Sequence, residues 1–215
     1  MGFTGFPEAA LDFYAELSHN NAREWWNEHR NIYRDAVDTP LRELAELLAD
    51  EFGEAKIFRP YRDVRFSNDK SPLKTHQGMV IVPDDGPSLY LQLSADGLYL
   101  AGGWYEPTKT QLELWRNAAD TPELAKAFDK EIARVRRAGY ELMDAPLLKT
   151  APRGWPRDHP RVDMLRRTNL AIGRAYEPAA WLHQKKCLDE VRKGWRLVQG
   201  WGEWLGKLPP ARMDP

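Results

Sequence analysis

The 215-residue chain reads as an α+β fold, with N-terminal helices, a central and mainly antiparallel sheet, and C-terminal helices. Three observations predict it. Apolar residues recur at helical spacing from Phe6 to Leu48, alternate or run in short blocks from Val64 to Ala101, and return to helical spacing after Thr108. The strand-like blocks are joined by short turns, so antiparallel pairing is the simplest arrangement. Helices and strands also segregate along the chain instead of alternating, which argues against a βαβ repeat.

The elements follow in order. Phe6, Ala10, Phe13, Tyr14 and Leu17 mark the first helix, with Pro7 suited to its first turn. Asn20-Asn21 supplies a break and a cap before a second helix that opens at Ala22-Arg23-Glu24-Trp25-Trp26. A stripe of Trp26, Tyr33, Val37, Pro40, Leu44 and Leu48 continues it, with Pro40 either a kink or the first turn of a new helix capped by Thr39. Gly53 is the natural stop. Arg62-Asp63-Val64-Arg65-Phe66 alternates as a strand should, and Gly78 to Val82 is a second strand closed by the turn Pro83-Asp84-Asp85-Gly86-Pro87. Leu89 to Leu93 and Leu98 to Ala101 flank Ala95-Asp96-Gly97 as a hairpin. Thr108 and Gln111 form a capping box before a helix through Trp115, and Thr121-Pro122 opens another that ends near Gly139. Residues 144–161 contain four prolines and a glycine and read as ordered loop. Thr168 to Tyr176 reads as a strand, and a last helix starts at Pro178, carrying Trp181, Leu188, Val191, Trp195 and Val198 on one stripe. The tail Leu208-Pro209-Pro210 is expected to fray. With no repeat or composition break, residues 1–215 read as a single domain with an ordered core of about 3–205.

Composition narrows the class. A single cysteine, Cys187, excludes an internal disulfide framework and any multi-cysteine metal site. No run of 18 apolar residues is present, and Met1 to Phe6 lacks the basic and apolar regions of a secretory signal, so a cytoplasmic protein without a membrane span is expected. The net charge of −1 hides an asymmetry. Residues 1–55 sum to −8, residues 59–76 to +3 and residues 149–174 to +5. The two basic segments either converge into one anion-attracting surface or dock against the acidic helices. The nine tryptophans read mainly as packing residues. Trp104, beside Gly102-Gly103, and Trp155, in the second basic segment, are candidates for an exposed aromatic wall. Gly102-Gly103 itself would let a strand end bend or a ligand approach the backbone.

The chemistry-bearing residues concentrate between Tyr61 and His76. Arg62, Arg65, Lys70 and Lys74 offer planar forks and mobile charges for phosphate or carboxylate, and Ser67, Ser71 and Thr75 offer neutral hydrogen bonds. Asp63 would orient Arg65 and Lys70 by ion pairing. The competing reading is an Asp–Arg network that ties a sheet edge to its loop, with Asp69 and Ser71 as turn residues. His76 and Asp69 are weak candidates for an acid or base. His183 and Cys187, four apart on the last helix, make too small a set for zinc, and no metal site is expected. G-x-S-x-G, G-x-x-x-x-G-K-[ST] and H-E-x-x-H are all absent.

Several of these segments together resemble a known family. Asn20-Asn21 with Trp25-Trp26, the run Arg62-Asp63-Val64-Arg65-Phe66-Ser67-Asn68-Asp69-Lys70-Ser71-Pro72-Leu73-Lys74, Leu89 to Ser94, Gly102 to Pro107, and Ala151 to Pro156 with His159-Pro160 are similar to a widespread microbial family catalogued as a conserved domain of unknown function. The resemblance spans about residues 3–205 and implies one full-length domain, with no assigned activity. Leu73 stands where that family usually has tyrosine and Thr168 where it usually has lysine, which weakens any role for a lysine there.

The functional expectation is an uncharacterised domain that binds an anionic, phosphate- or carboxylate-bearing small molecule in a basic cleft. Arg62, Asp63, Arg65, Ser67, Lys70 and Lys74 would form one wall, with Arg153 and Trp155 the other. No cofactor is called for, and whether a reaction occurs, like the oligomeric state, stays open. A rival class is a protein-interaction module with the basic cluster as scaffold, which predicts a large exposed apolar patch and no concavity near residues 62–76. Single-stranded nucleic-acid binding ranks third, because the N-terminal segment is so acidic.

Overall fold

α1 (Ala9–His19) turns Ala10, Phe13, Tyr14 and Leu17 into the core, as the helical spacing predicts. Phe6 precedes this helix and is buried as well. α2 (Arg23–Ile32) buries none of its residues, so its two tryptophans are only half-covered. The chain continues without a break through a π-helical segment, Tyr33–Asp38, into α3 (Thr39–Phe52). In the π segment the Thr39 N–H donates to the Arg34 carbonyl, five residues back. This wider turn sits just before Pro40, whose ring would crowd the carbonyl four residues earlier in a regular α-helix. Thr39 therefore caps nothing. Gly53, at φ 95°, ends α3 as expected.

The computed structural model describes residues 2–63, 65, 69–83 and 86–210. They pack as two compact units, one comprising Met1–Pro83, Leu89–Leu100 and Ala175–Trp195, the other Asp84–Ser88, Ala101–Arg174 and Arg196–Pro215. Strands β1 (Lys56–Ile57), β2 (His76–Ile81), β3 (Ser88–Ser94), β4 (Gly97–Trp104), β5 (Glu141–Leu142) and β6 (Leu170–Tyr176) form one sheet in the order β1-β2-β3-β4-β6-β5. The fold class is α+β, with antiparallel pairing.

In the first unit, β2 and β3 pair from His76 opposite Ser94 to Ile81 opposite Leu89. This register puts Gln77, Met79 and Ile81 on the same face as Leu93, Leu91 and Leu89, all of them buried. Gln77 is polar, and its side chain is satisfied there. Its Oε1 accepts from the Tyr33 hydroxyl at 2.8 Å, and its Nε2 donates to the carbonyls of Phe58 and Gly78. The Gly97 turn of the β3–β4 hairpin has φ 102°.

The second unit contains α4 (Lys109–Asp120), α5 (Pro122–Arg137), the short α6 (Val162–Leu165) and the latter part of α7 (Lys186–Gly206). Thr108 and Gln111 make the reciprocal capping box at the start of α4, at 3.2 and 2.8 Å. The core is aromatic. Phe128 meets Trp115, Trp201 and Trp204 with ring centroids 4.5, 5.9 and 6.0 Å apart. The buried indoles of Trp115 and Trp201 donate to the carbonyls of Met164 and Leu170.

Several expectations are corrected. Gly102-Gly103 lies within β4, and a Cβ on Gly103 (φ 113°) would meet the Leu170 carbonyl oxygen at 2.9 Å and the Trp201 ring at 3.0 Å. Protein, not ligand, makes the close approach. Trp104 is only 7% exposed and joins the core instead of forming an open wall. The last helix starts at Lys186, after a separate 3-10 turn at Ala180–His183, so His183 and Cys187 do not share one α-helix. His183 Nδ1 instead meets the Phe6 carbonyl at 2.8 Å, and Cys187 is fully buried. Leu208 is packed, not frayed.

The predicted strand at residues 62–66 is also corrected: Arg62, Asp63 and Arg65 lie outside any strand, while Val64 and Phe66, with Ser67 and Asn68, fall outside the described residues. The Asp63 carboxylate accepts from the Arg65 backbone N–H at 3.2 Å and from its guanidinium, local bonds that compete with a sheet ladder.

Candidate functional site

Two backbone bonds close the loop between β1 and β2. The Arg62 N–H donates to the Pro72 carbonyl and the Lys74 N–H to the Pro60 carbonyl, at 2.9 and 2.8 Å, around a bridge between Tyr61 and Leu73. Asn21, expected to cap a helix, clamps this loop from the other side. Its Nδ2 donates to the Leu73 carbonyl at 3.0 Å, and its Oδ1 accepts from the Leu73 N–H at 3.1 Å. The junction of α1 and α2 is thereby fixed to the residue at the base of the loop.

Between α2 and this loop lies a cavity of about 490 Å³, lined by Arg23, Trp26, Asn27, Tyr61, Arg62, Lys70, Pro72 and Leu73. Arg23, Trp26 and Asn27 sit at i, i+3 and i+4 on α2, one face of the helix. Leu73 and Pro72 are its apolar base. Three cationic side chains enter the lining, and no carboxylate does among the described residues. Arg62 is 27% exposed and anchored through Nη1, which donates to Asp69 at 2.7 Å. Its Nε is buried with no hydrogen-bond partner among the described residues.

The surrounding charges reinforce one another. Burial, then Arg59 and Arg62, pushes the Lys74 ammonium below its usual range, with its Nζ lying 5.2 Å from the Phe58 ring centre. Burial, then Lys74 and Arg62, lowers the His76 imidazole, which favours the neutral ring near neutral pH. Asp69 accepts from the Ser71 N–H at 2.9 Å. The Ser71 hydroxyl and N–H, then Arg62, hold its carboxyl below the usual range, so it is a poor proton acceptor at neutral pH. Asp63 is held low by the Arg65 guanidinium first and the Arg65 N–H next. That Asp63–Arg65 pair is solvent-exposed, at 46% and 75%.

The structure therefore gathers Arg62 and Lys70 in one cavity and sets Asp69 against Arg62. Asp63, Arg65, Lys74 and His76 belong to the same unit but are outside the lining, and Ser67 falls outside the described residues. Arg153, exposed, and Trp155, half-buried, belong to the second unit. Most arginines around them do structural work. Arg161 forks onto Asp129 at 2.8 and 2.9 Å, and Arg166, Arg167 and Arg174 donate to the carbonyls of Leu148, Met143 and Ala138. His159 has both ring nitrogens occupied, Nδ1 by the Arg161 N–H and Nε2 by Asp120. Thr168 bonds the Pro146 carbonyl. Among the described residues, no group of three His, Cys, Asp or Glu side chains is placed to hold a metal ion, and no helix is long and apolar enough to cross a membrane.

Sequence reasoning missed Arg23 and Asn27 and took Trp26 for core. The available signal was the charged company of Trp25-Trp26. A helix with two tryptophans flanked by Arg23, Glu24, Asn27, Glu28 and Arg30 cannot bury them both fully.

The family described as conserved hypothetical protein (DUF2461) matches residues 9–204. The chain belongs to this family. All of the residues lining the cavity lie inside the matched span. Neither the curated proteins nor the solved structures contain a match to the chain.

Proposed function

We propose that this member of the family binds an anionic small molecule, bearing phosphate or carboxylate, in the cavity between α2 and the loop of residues 60–74. One observation carries the reading: Arg23, Arg62 and Lys70 line a concave space whose described lining holds no carboxylate. Asp69 offsets part of the Arg62 charge from outside the lining, and an anion inside the cavity gains charge-assisted hydrogen bonds from the cations that face it. The proposal needs only the first unit, so Arg153 and Trp155 have no part in it. A scaffold role for the basic cluster, by contrast, calls for no concavity near residues 62–76.

The test is thermal unfolding with inorganic phosphate, pyrophosphate and citrate. A ligand at one hundred times its Kd stabilises by about 2.7 kcal/mol, which raises the midpoint of a chain this size by about 5–10 °C. Arg62→Ala and Lys70→Ala should each reduce that rise, Lys70 being the more exposed of the two positions. If no anion raises the wild-type midpoint more than those of both variants, the proposal fails.

A further inference from the structure

We infer that the ligand of this cavity carries a planar aromatic ring beside its anionic group, as a nucleoside monophosphate does; the inference rests on the anion-binding reading above. The cavity has two chemically different sides. Arg23, Arg62 and Lys70 supply charge, whereas Trp26, Tyr61 and Asn27 supply none. At about 490 Å³ the space falls within the range of small-molecule sites, and an inorganic anion alone would leave most of it to water.

The aromatic side is built as a wall. Trp26 is backed by the buried Tyr33 ring at 5.0 Å and the buried Phe13 ring at 6.3 Å, which restrict its rotamer. Tyr61 meets Trp26 at 5.9 Å with their planes 66° apart. The two rings thus form a corner, where a flat group lies against one face and turns its edge to the other. Tyr61 is 52% exposed, large for a tyrosine whose backbone is bridged into a closed loop. Covering its ring with an apolar ring face returns hydrophobic area that the free protein leaves in water. Asn27, one position beyond Trp26, brings a side-chain amide that both donates and accepts, the type of group that reads the edge of a heterocycle. Base stacking on Trp or Tyr combined with Arg and Lys on phosphate is the chemistry by which proteins hold unpaired nucleotides of single strands.

Titration calorimetry on the full chain separates this inference from the reading beneath it. The probes are AMP, GMP, CMP and UMP, with ribose 5-phosphate as the anion that lacks a base. At least one nucleotide should bind roughly tenfold or more tightly than ribose 5-phosphate. Tyr61→Ala should abolish that preference and leave ribose 5-phosphate affinity in place, whereas Arg62→Ala should weaken both. Trp26→Ala should act like Tyr61→Ala, but its contact with Tyr33 makes Tyr61 the safer variant. If ribose 5-phosphate binds as tightly as all four nucleotides, the ring inference is overturned and the anion site stands. If none of the five binds, both fall.

Discussion

Asn21 shows how much one side chain can organise. It satisfies both backbone groups of Leu73, a residue that is only 1% exposed and contributes to the base of the cavity. Replacing it with alanine strands a partly buried N–H and C=O, at a cost of about 1–3 kcal/mol. Asn21→Ala should therefore lower the unfolding midpoint by several degrees, at about 2–4 °C per kcal/mol, and speed amide exchange at Leu73. An unchanged midpoint would remove Asn21 from this role. His76 supports a prediction in pH. Its imidazole is held below its usual range by burial, Lys74 and Arg62, so the unfolded chain binds this proton at higher pH than the folded chain does. Stability contributed by neutral His76 is complete above about pH 6.5 and is lost as pH falls through the lower, folded value. Between pH 7 and pH 5 the wild type should lose more stability than His76→Asn; parallel losses would contradict this. The pairing partners of Arg62 and Arg65 were legible in the sequence only as alternatives, because a carboxylate two or more residues away can serve equally as an orienting partner or as a turn acceptor. Asp63 and Asp69 turn out to accept from arginine and from backbone N–H groups at once.

The elements whose ends are written in local chemistry are the ones that sequence reading located best. The capping box at Thr108 and Gln111, Gly53 after α3 and the Gly97 turn all depend on residues a few positions apart. Thr108→Ala should cost about 0.5–2 kcal/mol, measurable in denaturant titrations as a lower midpoint with an unchanged slope. A loss below that range would mean that the second-unit core, not the cap, holds α4. Elements that depend on distant partners were harder to read. The segment at residues 62–66 has a strand's periodicity, yet the Arg62 N–H bonds the Pro72 carbonyl and the Lys74 N–H the Pro60 carbonyl, neither of them in a sheet strand. The two-residue strands β1 and β5 carry too few residues to show any period and exist because β2 and β6 offer edges to them. The split of the last helical region into a 3-10 turn and α7 was also invisible, since Trp181 continues the apolar stripe across the break.

For the whole molecule, the chain passes between the two units inside β3, β4, β6 and α7, each of which contributes residues to both. A strand or helix cannot keep half of its hydrogen-bonded register and lose the other half without cost, so we propose that the chain behaves as one cooperative domain. Calorimetry should show a single transition whose calorimetric and van't Hoff enthalpies agree; two resolved transitions would reject it. The near-neutral net charge also divides differently in the fold than along the chain. Part of the acidic charge of the N-terminal helices is paired within them, Asp35 with Arg34 and Asp38 with Arg42, and Glu51 pairs with Arg192 of α7. By itself the sequence determined the fold class, the main helices and the longer strands, and the segment in which cations gather, because hydrophobic period, caps and charge are local properties. Only the tertiary structure decided that α2 supplies one side of the cavity and that Asn21 holds its base. Those facts depend on residues some fifty positions apart meeting in space, and no local pattern records which distant surface a helix face will meet.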